Sequence, residues 1–325
     1  IPQVRNRILE FCGCSGSADN CTTRFLVGNG RTVRGYGIPG IKDIKEPAQI
    51  DQILERGIDI FRSLWDKTSL VASIDLDYYN EDFADEAFHH PEAAFGKLEP
   101  AYNCISRILQ SYDIKYLAVM TGQGYHFSWK ISQASPLHAK LENLANWPPS
   151  LLAKYEHDHP FTAETLSLKK GKGHSGSGIL LEFLTFKIMR ECSQEAAIPV
   201  MFTGLTVGNS NVGRESVSID LSAYGDPLYL RYFRCAFSLY HKLDSTADTG
   251  TLICLPRLKE PLEEMLEKRR NPVEAAKLAE NTTATIPDGA SGFARLLEEY
   301  LLSPLRQIHL HFYSGWHDEP RDWGS

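Results

Sequence analysis

The stretch Ser73-Ile74-Asp75-Leu76-Asp77 decides the fold, and it closes an apolar run that begins at Leu70. A short apolar run of this kind predicts a buried β-strand. Because strand side chains alternate between the two faces, Asp75 and Asp77 project to the same side and can bind one cation together. Two neighbouring ionised carboxylates repel each other unless a cation neutralises them, and their oxygen atoms suit Mg²⁺ or Mn²⁺. Solvated carboxylates at the end of a strand are the alternative interpretation.

Further along the chain, two apolar runs flank the turn sequence Thr121-Gly122-Gln123-Gly124. These runs, Tyr116–Met120 and Tyr125–Ile131, predict a β-hairpin with a glycine-containing turn. Glycines in such a turn let backbone amides approach a phosphate group closely. His126 lies at the start of the second strand, where an imidazole can donate a hydrogen bond to a phosphate oxygen. A tight turn followed by a half-buried histidine is the alternative interpretation.

A third apolar stretch, Ser218-Ile219-Asp220-Leu221, carries a lone aspartate inside a predicted strand. A buried carboxylate without a partner is costly, so Asp220 is expected to have a hydrogen-bond donor or a metal ion beside it. Residues that supply positive charge or hydrogen-bond donors follow it, namely Arg231, Arg234, Ser238, His241 and Lys242. Such groups can hold a triphosphate, although a solvated basic face would have the same sequence pattern.

The other segments predict a mixture of helices and strands. The spacing of apolar residues predicts helices at Pro47–Leu64, Pro91–Tyr112, Ile179–Cys192, Glu260–Arg270, Val273–Asn281 and Gly292–Leu302. Further strands are predicted at Val200–Val207, Val217–Leu221, Ala236–Tyr240 and Thr251–Leu255, and a Gly/Ser/Lys loop at Gly171–Gly178. Strands dominate the middle of the chain and helices its end. This order favours an α+β fold with a mainly antiparallel or mixed sheet over a doubly wound parallel fold.

The composition is that of an ordinary globular protein, since 42% of the 325 residues are hydrophobic and 23% are charged. The formal net charge of −7 argues against a protein that coats nucleic acid by bulk electrostatics. It is compatible with an enzyme that holds a short nucleic acid in a local basic groove. No apolar run approaches the roughly 20 residues of a membrane-spanning helix, and no signal peptide is evident. These features predict a cytoplasmic protein with no membrane partner.

The seven cysteines do not have the pattern of a small disulfide framework, because their number is odd and their spacing irregular. Most are expected to be small core residues in a reducing cytoplasm. Cys12, Cys14 and Cys21 cluster in a Gly/Ser-rich stretch, where three thiolates and a histidine could bind zinc. The stretch lacks a C-x₂-C pair and a nearby histidine. A flexible loop with incidental cysteines is therefore expected here, and a zinc site is not.

Taken in order, the three motifs resemble those of the archaeo-eukaryotic primase superfamily, the primase-polymerases. That family has an Asp-x-Asp strand, then a small hydroxyl residue with glycines and a histidine in a hairpin, then a lone strand aspartate followed by basic residues. The resemblance covers about residues 73–242 and is most specific at Val217–Lys242, which is similar to the family's third motif and its Ser-x-x-x-Lys segment. It implies an RRM-like core, meaning a mixed or antiparallel sheet like that of an RNA-recognition motif. An additional α/β unit and a helical C-terminal tail would complete the α+β fold.

The resemblance implies a role for each motif residue. Asp75, Asp77 and Asp220 would be the catalytic carboxylates and would bind two Mg²⁺ or Mn²⁺ ions. The incoming nucleotide would be contacted by Thr121, Gly122, Gly124, His126, Arg231, Arg234, Ser238 and Lys242. The implied activity is template-directed nucleotidyl transfer from NTPs or dNTPs to a 3′-hydroxyl, by a primase, a polymerase or both. Two positions depart from the family, because Thr121 stands where serine is usual and Tyr240 stands near a common histidine.

The same resemblance divides the chain into a catalytic domain, residues 1–255, and a helical C-terminal extension, residues 256–325. The expected partners are a single-stranded or primed nucleic-acid template, an NTP or dNTP, and a helicase or another DNA-replication or defence protein. Two other functions compete. An Asp-x-Asp glycosyltransferase would need a parallel sheet for its sugar nucleotide and gives no role to Asp220. A catalytically silent nucleic-acid-binding module would have no need of all three aspartates.

Overall fold

The computed structural model describes residues 2–29, 42–147, 149–156, 166–202, 214–225, 227–241, 250–255 and 260–314. Within these residues, the strands are β1 (Leu26–Asn29), β2 (Lys42–Lys45), β3 (Asp59–Ser63), β4 (Ser69–Asn80), β5 (Leu117–Met120), β6 (Gly124–Ser132), β7 (Val200–Phe202), β8 (Glu215–Asp220), β9 (Tyr232–Arg234) and β10 (Ile253–Cys254). The helices are α1 (Pro2–Phe11), α2 (Ile50–Leu54), α3 (Glu86–His89), α4 (Pro91–Ser111), α5 (Pro136–Leu144), α6 (Pro149–Ala153), α7 (Leu168–Cys192), α8 (Leu262–Arg270), α9 (Pro272–Asn281), α10 (Ala290–Leu302) and α11 (Pro304–Ser314).

The large sheet of the protein has the strand order β10-β5-β6-β4-β8-β7. Neighbouring strands run antiparallel, except that β7 runs parallel to β8. The Asp-x-Asp strand β4 lies in the interior of this sheet, between β6 and β8. The prediction of an α+β fold with a mainly antiparallel or mixed sheet is therefore confirmed.

The two faces of the large sheet differ in polarity because burial alternates along β4. Ile74 and Leu76 are fully buried, whereas Asp75 and Asp77 project to the opposite face and are only partly buried. Helices α4 and α7 pack on the apolar face. Burial of a side chain such as Leu76 stabilises the fold by roughly 1.5–3 kcal/mol, and a slip of one residue would forfeit it. This alternation therefore determines which face carries the aspartates.

A small antiparallel sheet, in the order β2-β1-β3-β9, lies against the polar face of the large sheet. The ring of Phe233 on β9 is 6.5 Å from the ring of His126 on β6. Arg62 of β3 forms a fully buried ion pair of 2.8 Å with Asp66. Burial and the nearby Arg62 charge lower the pKa of Lys130 on β6. The polar residues of β4 and β6 therefore lie between the two sheets.

The helix predicted at Pro47–Leu64 is wrong in its second half. A 3₁₀ turn at Pro47–Gln49 and the short helix α2 form in its first half, and Gly57 then adopts a φ of +61°. The following residues form β3, which pairs with both β1 and β9. The apolar spacing in this segment suits a helix as well as a strand, and pairing on both sides favours the strand.

The loop predicted at Gly171–Gly178 is wrong, because these residues belong to the first half of α7. The small residues let α7 approach α5 closely. A methyl group on Gly176 would lie 1.9 Å from the carbonyl oxygen of Leu141, and one on Gly173 would lie 3.0 Å from the imidazole of His138. Glycine disfavours helices, but the tertiary packing of α7 outweighs that local preference.

The strand predicted at Ala236–Tyr240 is also wrong. The strand β9 ends earlier, and Phe237 adopts a φ of +65°, which interrupts extended backbone. The segment is held instead by Ser238, whose hydroxyl accepts a hydrogen bond of 2.7 Å from the backbone amide of Ile60.

The other predicted elements agree with the structure in type and position. The hairpin strands and the helix at Pro91–Tyr112 are confirmed as β5, β6 and α4. The strand predicted at Val200–Val207 begins as β7, and residues 203–213 lie outside the described part of the chain. The strand predicted at Thr251–Leu255 is β10, which pairs with β5 at the edge of the large sheet.

The segment around the N-terminal cysteines is irregular apart from a 3₁₀ turn at Ala18–Asn20, and its predicted flexibility stays a prediction. Cys12 directly follows α1 and is fully buried. Cys14 and Cys21 are joined by a disulfide. The chain reverses between them, since the backbone amide of Thr22 donates to the carbonyl oxygen of Gly13. Such a reversal is a tertiary feature that the spacing of the cysteines does not predict.

The helices after residue 255 pack onto the rest of the protein. Phe293 of α10 contacts Trp129 of β6, with ring centroids 5.3 Å apart. Arg269 at the end of α8 is buried, and its Nη1 donates to the carbonyl oxygen of Gly122 at 3.4 Å. These residues extend the hydrophobic core, and the domain boundary at residue 255 stays a prediction. Among the described helices, none combines the length and the apolar character that a membrane span requires.

Candidate functional site

The three predicted catalytic aspartates lie together on the polar face of the large sheet. In the antiparallel register, Asp75 of β4 is opposite Asp220 of β8 on one side and opposite His126 of β6 on the other. Asp77 follows on the same face of β4, opposite Gly124. Directly opposed residues on neighbouring strands have Cβ atoms about 4.5–5.5 Å apart. Asp75, Asp77 and Asp220 therefore form one group, here named the carboxylate cluster.

Asp75 and His126 form an ion pair across β4 and β6, with Nε2 of His126 3.1 Å from Oδ1 of Asp75. Burial lowers the pKa of His126, but the charge of Asp75, its hydrogen bond with the imidazole and the charge of Asp77 outweigh burial and leave this pKa raised. The Asp75 side chain is 35% exposed and that of His126 is 15% exposed. A protonated His126 can therefore offset part of the negative charge, and the pair can be reached from the polar face.

The other two carboxylates of the cluster are held by neighbouring polar groups. Nε2 of Gln123 donates to Oδ2 of Asp77 at 2.7 Å. The backbone amide of Ser222 donates to Oδ1 of Asp220 at 2.7 Å, and the Ser222 hydroxyl donates to Oδ2 at 3.0 Å. Both carboxylates are thus oriented by residues close to the ends of β5 and β8.

The carboxylate cluster meets two conditions for binding a divalent cation. Asp75 and Asp220 face each other directly, and like charges in that position destabilise a sheet by roughly 0.2–1 kcal/mol. Oδ1 of Asp75 is buried and receives no well-aligned hydrogen bond from a described residue. In their present orientations, no three acidic, histidine or cysteine side chains of the described ranges converge on one point.

The hairpin turn is packed tightly, which explains its glycines. The hydroxyl of Thr121 accepts a hydrogen bond of 3.0 Å from the backbone amide of Gly124. A methyl group on Gly124 would lie 1.8 Å from the carbonyl oxygen of Leu76, and one on Gly122 would lie 2.4 Å from the ring of Tyr240. The glycines therefore make room for β4 and Tyr240, and the predicted role of this turn at a phosphate stays a prediction.

Arg234 lies on the small sheet, where its charge also affects His126 and lowers the pKa of that imidazole. Its guanidinium is 4.0 Å from the centre of the Tyr240 ring. Nε and Nη2 of Arg234 donate to Oδ2 of Asp59 at 3.1 Å and 2.9 Å. Nδ1 of His241 lies 2.5 Å from the other oxygen of Asp59, whose side chain is 3% exposed. The buried carboxylate of Asp59 therefore holds the side chains of both Arg234 and His241 in position.

The remaining residues of the basic segment are spread over different positions. Nη2 of Arg231 donates to the carbonyl oxygen of Ser222 at 2.9 Å, in the turn that follows Asp220. The hydroxyl of Ser238 is buried and hydrogen-bonded to backbone groups, so in this conformation it is not presented to a nucleotide. Lys242 lies outside the described residues.

Sequence reasoning missed three residues of this site. Asp59 lies in a segment predicted to be helical, and nothing local marks it as the partner of Arg234. Gln123 belongs to the turn motif, but the motif predicts no role for its amide, which binds Asp77. The position of Tyr240 in the sequence does not predict its contact with the turn, because that contact depends on how the two sheets meet. No signal in the sequence alone would have found these contacts.

No protein-family model matches the chain, and no curated protein matches it. The chemistry of the site therefore has to be inferred from its geometry. Three carboxylates and a histidine lie on one sheet, with a guanidinium on the facing sheet. Such a set can hold a divalent cation together with the phosphates of a nucleotide.

Proposed function

We propose that this protein is a metal-dependent nucleotidyltransferase of the primase-polymerase type, which adds nucleotides to a 3′-hydroxyl on a nucleic-acid template. The observation that carries the proposal is the register of β4. Asp75 is opposite both Asp220 and His126, while Asp77 follows on the same face. Carboxylates grouped in this way serve two-metal phosphoryl transfer in polymerases and nucleases. The finer assignment of an RRM-like core with a second α/β unit belongs to this proposal.

Asp75, Asp77 and Asp220 would hold Mg²⁺ or Mn²⁺. When bound, such ions lower the pKa of an attacking hydroxyl and stabilise the charge of the leaving pyrophosphate. The direct opposition of Asp75 and Asp220 supports this assignment. Oδ1 of Asp75 is buried, and its ion-pair partner is Nε2 of His126, without a well-aligned hydrogen bond. Gln123 would orient Asp77 before a cation binds, because its amide already contacts that carboxylate.

The cationic groups around the cluster would bind and orient the nucleotide. His126, with its raised pKa, would donate a hydrogen bond to a phosphate oxygen. Arg234 would supply fixed positive charge from the facing sheet, since Asp59 and the Tyr240 ring limit its movement. Charge placed in advance in this way lowers the cost of reorganising the site during the reaction.

The glycosyltransferase alternative agrees less well with the fold. A parallel nucleotide-binding sheet is expected for that class, whereas β4 runs antiparallel to both of its neighbours. That alternative also leaves Asp220 without a role opposite Asp75. The silent nucleic-acid-binding module shares the fold proposed here, so an activity measurement has to separate the two.

The test is to incubate the protein with a single-stranded template, labelled NTPs or dNTPs, and Mg²⁺ or Mn²⁺, with and without an annealed primer. We expect incorporation that stops when EDTA is added. Product without a primer would identify a primase, and product only with a primer would identify a polymerase. A folded protein that yields no product and binds single strands would support the silent module instead.

The matched variants are Asp77→Ala in the cluster and Glu264→Gln on the exposed face of α8. Asp77→Ala should abolish incorporation and leave the thermal midpoint close to that of the wild type, because the side chain lies at the polar face. Glu264→Gln removes one charge elsewhere and should retain full activity. Normal primer extension by Asp77→Ala would show that the proposed metal site is wrong.

A further inference from the structure

A pocket of about 350 Å³ lies at the end of β8. Gly178 and Ile179 of α7 form part of its floor, and Trp147 and Tyr224 form part of its walls. Its volume is at the lower end of the range of small-molecule sites, roughly 300–1,000 Å³. It can accommodate one planar heterocycle of the size of a nucleobase.

The aromatic walls of the pocket are held in place by the residues behind them. The ring of Trp147 stacks on that of Tyr155 at 4.6 Å, and its Nε1 donates to Oγ of Ser175 at 2.9 Å. The ring of Tyr224 stacks on that of His174 at 4.8 Å, and its hydroxyl is hydrogen-bonded to the backbone of β4. Both Trp147 and Tyr224 are half-buried. Rigid aromatic surfaces of this kind bind nucleobases by stacking.

The charged side chain among the described lining residues is Glu182 of α7. It is 37% exposed, and its Oε2 lies 3.5 Å from Nε2 of His309. An ionised carboxylate accepts hydrogen bonds and cannot donate them. A ligand that fits this pocket should therefore present N–H donors to Glu182.

Guanine fits this requirement better than the other bases. Its N1–H and its 2-amino group are adjacent donors that can both reach one carboxylate. In adenine and cytosine, the amino group lies beside a ring nitrogen that is an acceptor, which a carboxylate would repel. In uracil and thymine, the single N–H lies between two carbonyl oxygens. A carboxylate at the edge of an aromatic pocket thus favours the base that presents two adjacent N–H donors to it.

Ser222 connects this pocket with the carboxylate cluster. It lines the pocket, and its hydroxyl donates to Oδ2 of Asp220 at 3.0 Å. Nη2 of Arg231 donates to the carbonyl oxygen of the same residue at 2.9 Å. A base in the pocket would therefore lie next to Asp220 and Arg231. Arg231 could then contact the phosphate backbone of the nucleotide or nucleic acid that carries the base.

We infer that this pocket binds a guanine base, with Trp147 and Tyr224 stacking on the ring and Glu182 accepting its N1–H and 2-amino protons. The base belongs either to a guanine nucleotide or to an unpaired position of a single strand, and the two sources share this chemistry. The role of the base in catalysis rests on the proposed nucleotidyl transfer. Binding of the base itself does not, because none of these three residues belongs to the carboxylate cluster.

The test measures base binding with the metal chemistry removed. The protein is titrated calorimetrically in EDTA with GMP, AMP, CMP and UMP. A second arm uses labelled oligothymidylate strands that carry one guanine or one adenine, followed by fluorescence anisotropy. We expect guanine to bind about tenfold more tightly than adenine, as the loss of one charge-assisted hydrogen bond predicts. Preference in the first arm only would identify a nucleotide site, and preference in the second arm only would identify a strand site.

The decisive variant is Glu182→Gln, because an amide presents a donor as well as an acceptor. Its preference for guanine over adenine should fall from about tenfold to about twofold or less. Glu191→Gln is the matched control, since it removes the same charge from an exposed position on the same helix. Thermal midpoints equal to that of the wild type establish that both variants are folded.

Three results would separate this inference from the proposed function. Equal binding of all four bases, or an unchanged guanine preference in Glu182→Gln, would overturn the assignment of guanine. Metal-dependent primer extension without any base binding would overturn the pocket and leave the proposed function in place. Guanine preference without any nucleotidyl transfer would support the pocket and count against the proposed function.

Discussion

Replacing Asp220 by asparagine should stabilise the protein in EDTA and remove its stabilisation by Mn²⁺. Asp220 is directly opposite Asp75 in the sheet, so the substitution removes one of two like charges. Asparagine has the same shape as aspartate, and its side-chain oxygen can still accept the hydrogen bond from the backbone amide of Ser222. A bound cation, however, would lose one of the three carboxylate ligands proposed for it.

The substitution has two effects on stability: it removes the repulsion between Asp75 and Asp220, and it removes the stabilisation by a bound cation. The first effect is favourable and small, and the second is unfavourable and larger. Relief of the cross-strand repulsion contributes roughly 0.2–1 kcal/mol to the metal-free variant. A cation present at about 100 times its Kd stabilises the wild type by about 2.7 kcal/mol. Since about 1 kcal/mol shifts the midpoint of a large domain by about 2 °C, saturating Mn²⁺ should raise the wild-type Tm by about 5 °C. The variant should gain about 1 °C or less at the same concentration.

The assay is differential scanning calorimetry in EDTA and in a series of Mn²⁺ concentrations, with the wild type and both variants measured side by side. Glu264→Gln is the control, because it removes one charge from the exposed face of α8. It should retain the full rise in Tm with Mn²⁺. An equal rise in Asp220→Asn and in the wild type would refute the metal assignment, and so would a wild type whose Tm does not respond to Mn²⁺ or Mg²⁺.

Three further predictions concern packing and pH. Gly176→Ala should destabilise the protein by roughly 1–3 kcal/mol, because the added methyl group would overlap the backbone of α5; chemical denaturation measures this. Burial lowers the pKa of His174 to about 4, so between pH 6.5 and 4 this imidazole is protonated in the unfolded chain and neutral in the native state. Stability should therefore fall by about 3 kcal/mol between pH 6.5 and 4, and His174→Gln should flatten that slope in urea titrations. Burial raises the pKa of Glu10, but hydrogen bonds from Thr283 and its neighbours outweigh burial and lower it to about 2. Its stabilisation is present above about pH 4.5 and lost as the pH falls through about 2, so Glu10→Gln should cost about 2 kcal/mol at pH 7 and almost nothing near pH 2.

Each of these predictions has a direct control. Gly96→Ala makes the same change at an exposed position of α4 where no heavy atom would contact the methyl group, and it should stabilise the helix by roughly 0.5–1 kcal/mol. A neutral Gly176→Ala would show that α7 and α5 are not in close contact. An unchanged acid slope in His174→Gln would mean that this imidazole is not the group that titrates. A cost of Glu10→Gln that is independent of pH would contradict the ionic character of its hydrogen bonds.

Several features of the site could be predicted because they depend on neighbouring residues in the chain. Strand alternation places Asp75 and Asp77 on one face, and the apolar residues between them determine which face is buried. The glycines of the hairpin turn mark the reversal between β5 and β6, and an adjacent antiparallel pair has few alternative registers.

Other features depended on contacts between distant segments. Apolar spacing predicts a helix in the segment that forms β3. The strand forms because this segment pairs with β1 and β9, which lie far away in the chain and leave no local signal. The glycines of α7 favour a loop when they are judged locally, because glycine disfavours helices. The helix forms because these glycines allow α7 to pack closely against α5, which is a property of the tertiary structure. The partnership of Asp59 with Arg234 likewise exists only after the small sheet has formed.

The sequence by itself therefore determined the α+β class, the Asp-x-Asp strand and the hairpin that carries His126, because local periodicity and turn chemistry specify these elements. Only the tertiary structure decided that Asp220 lies opposite Asp75, that Gln123 binds Asp77, and that a pocket opens beside Ser222. The physical reason is that strand register and sheet packing are set by burial and hydrogen bonding across long sequence separations, which a local pattern does not encode.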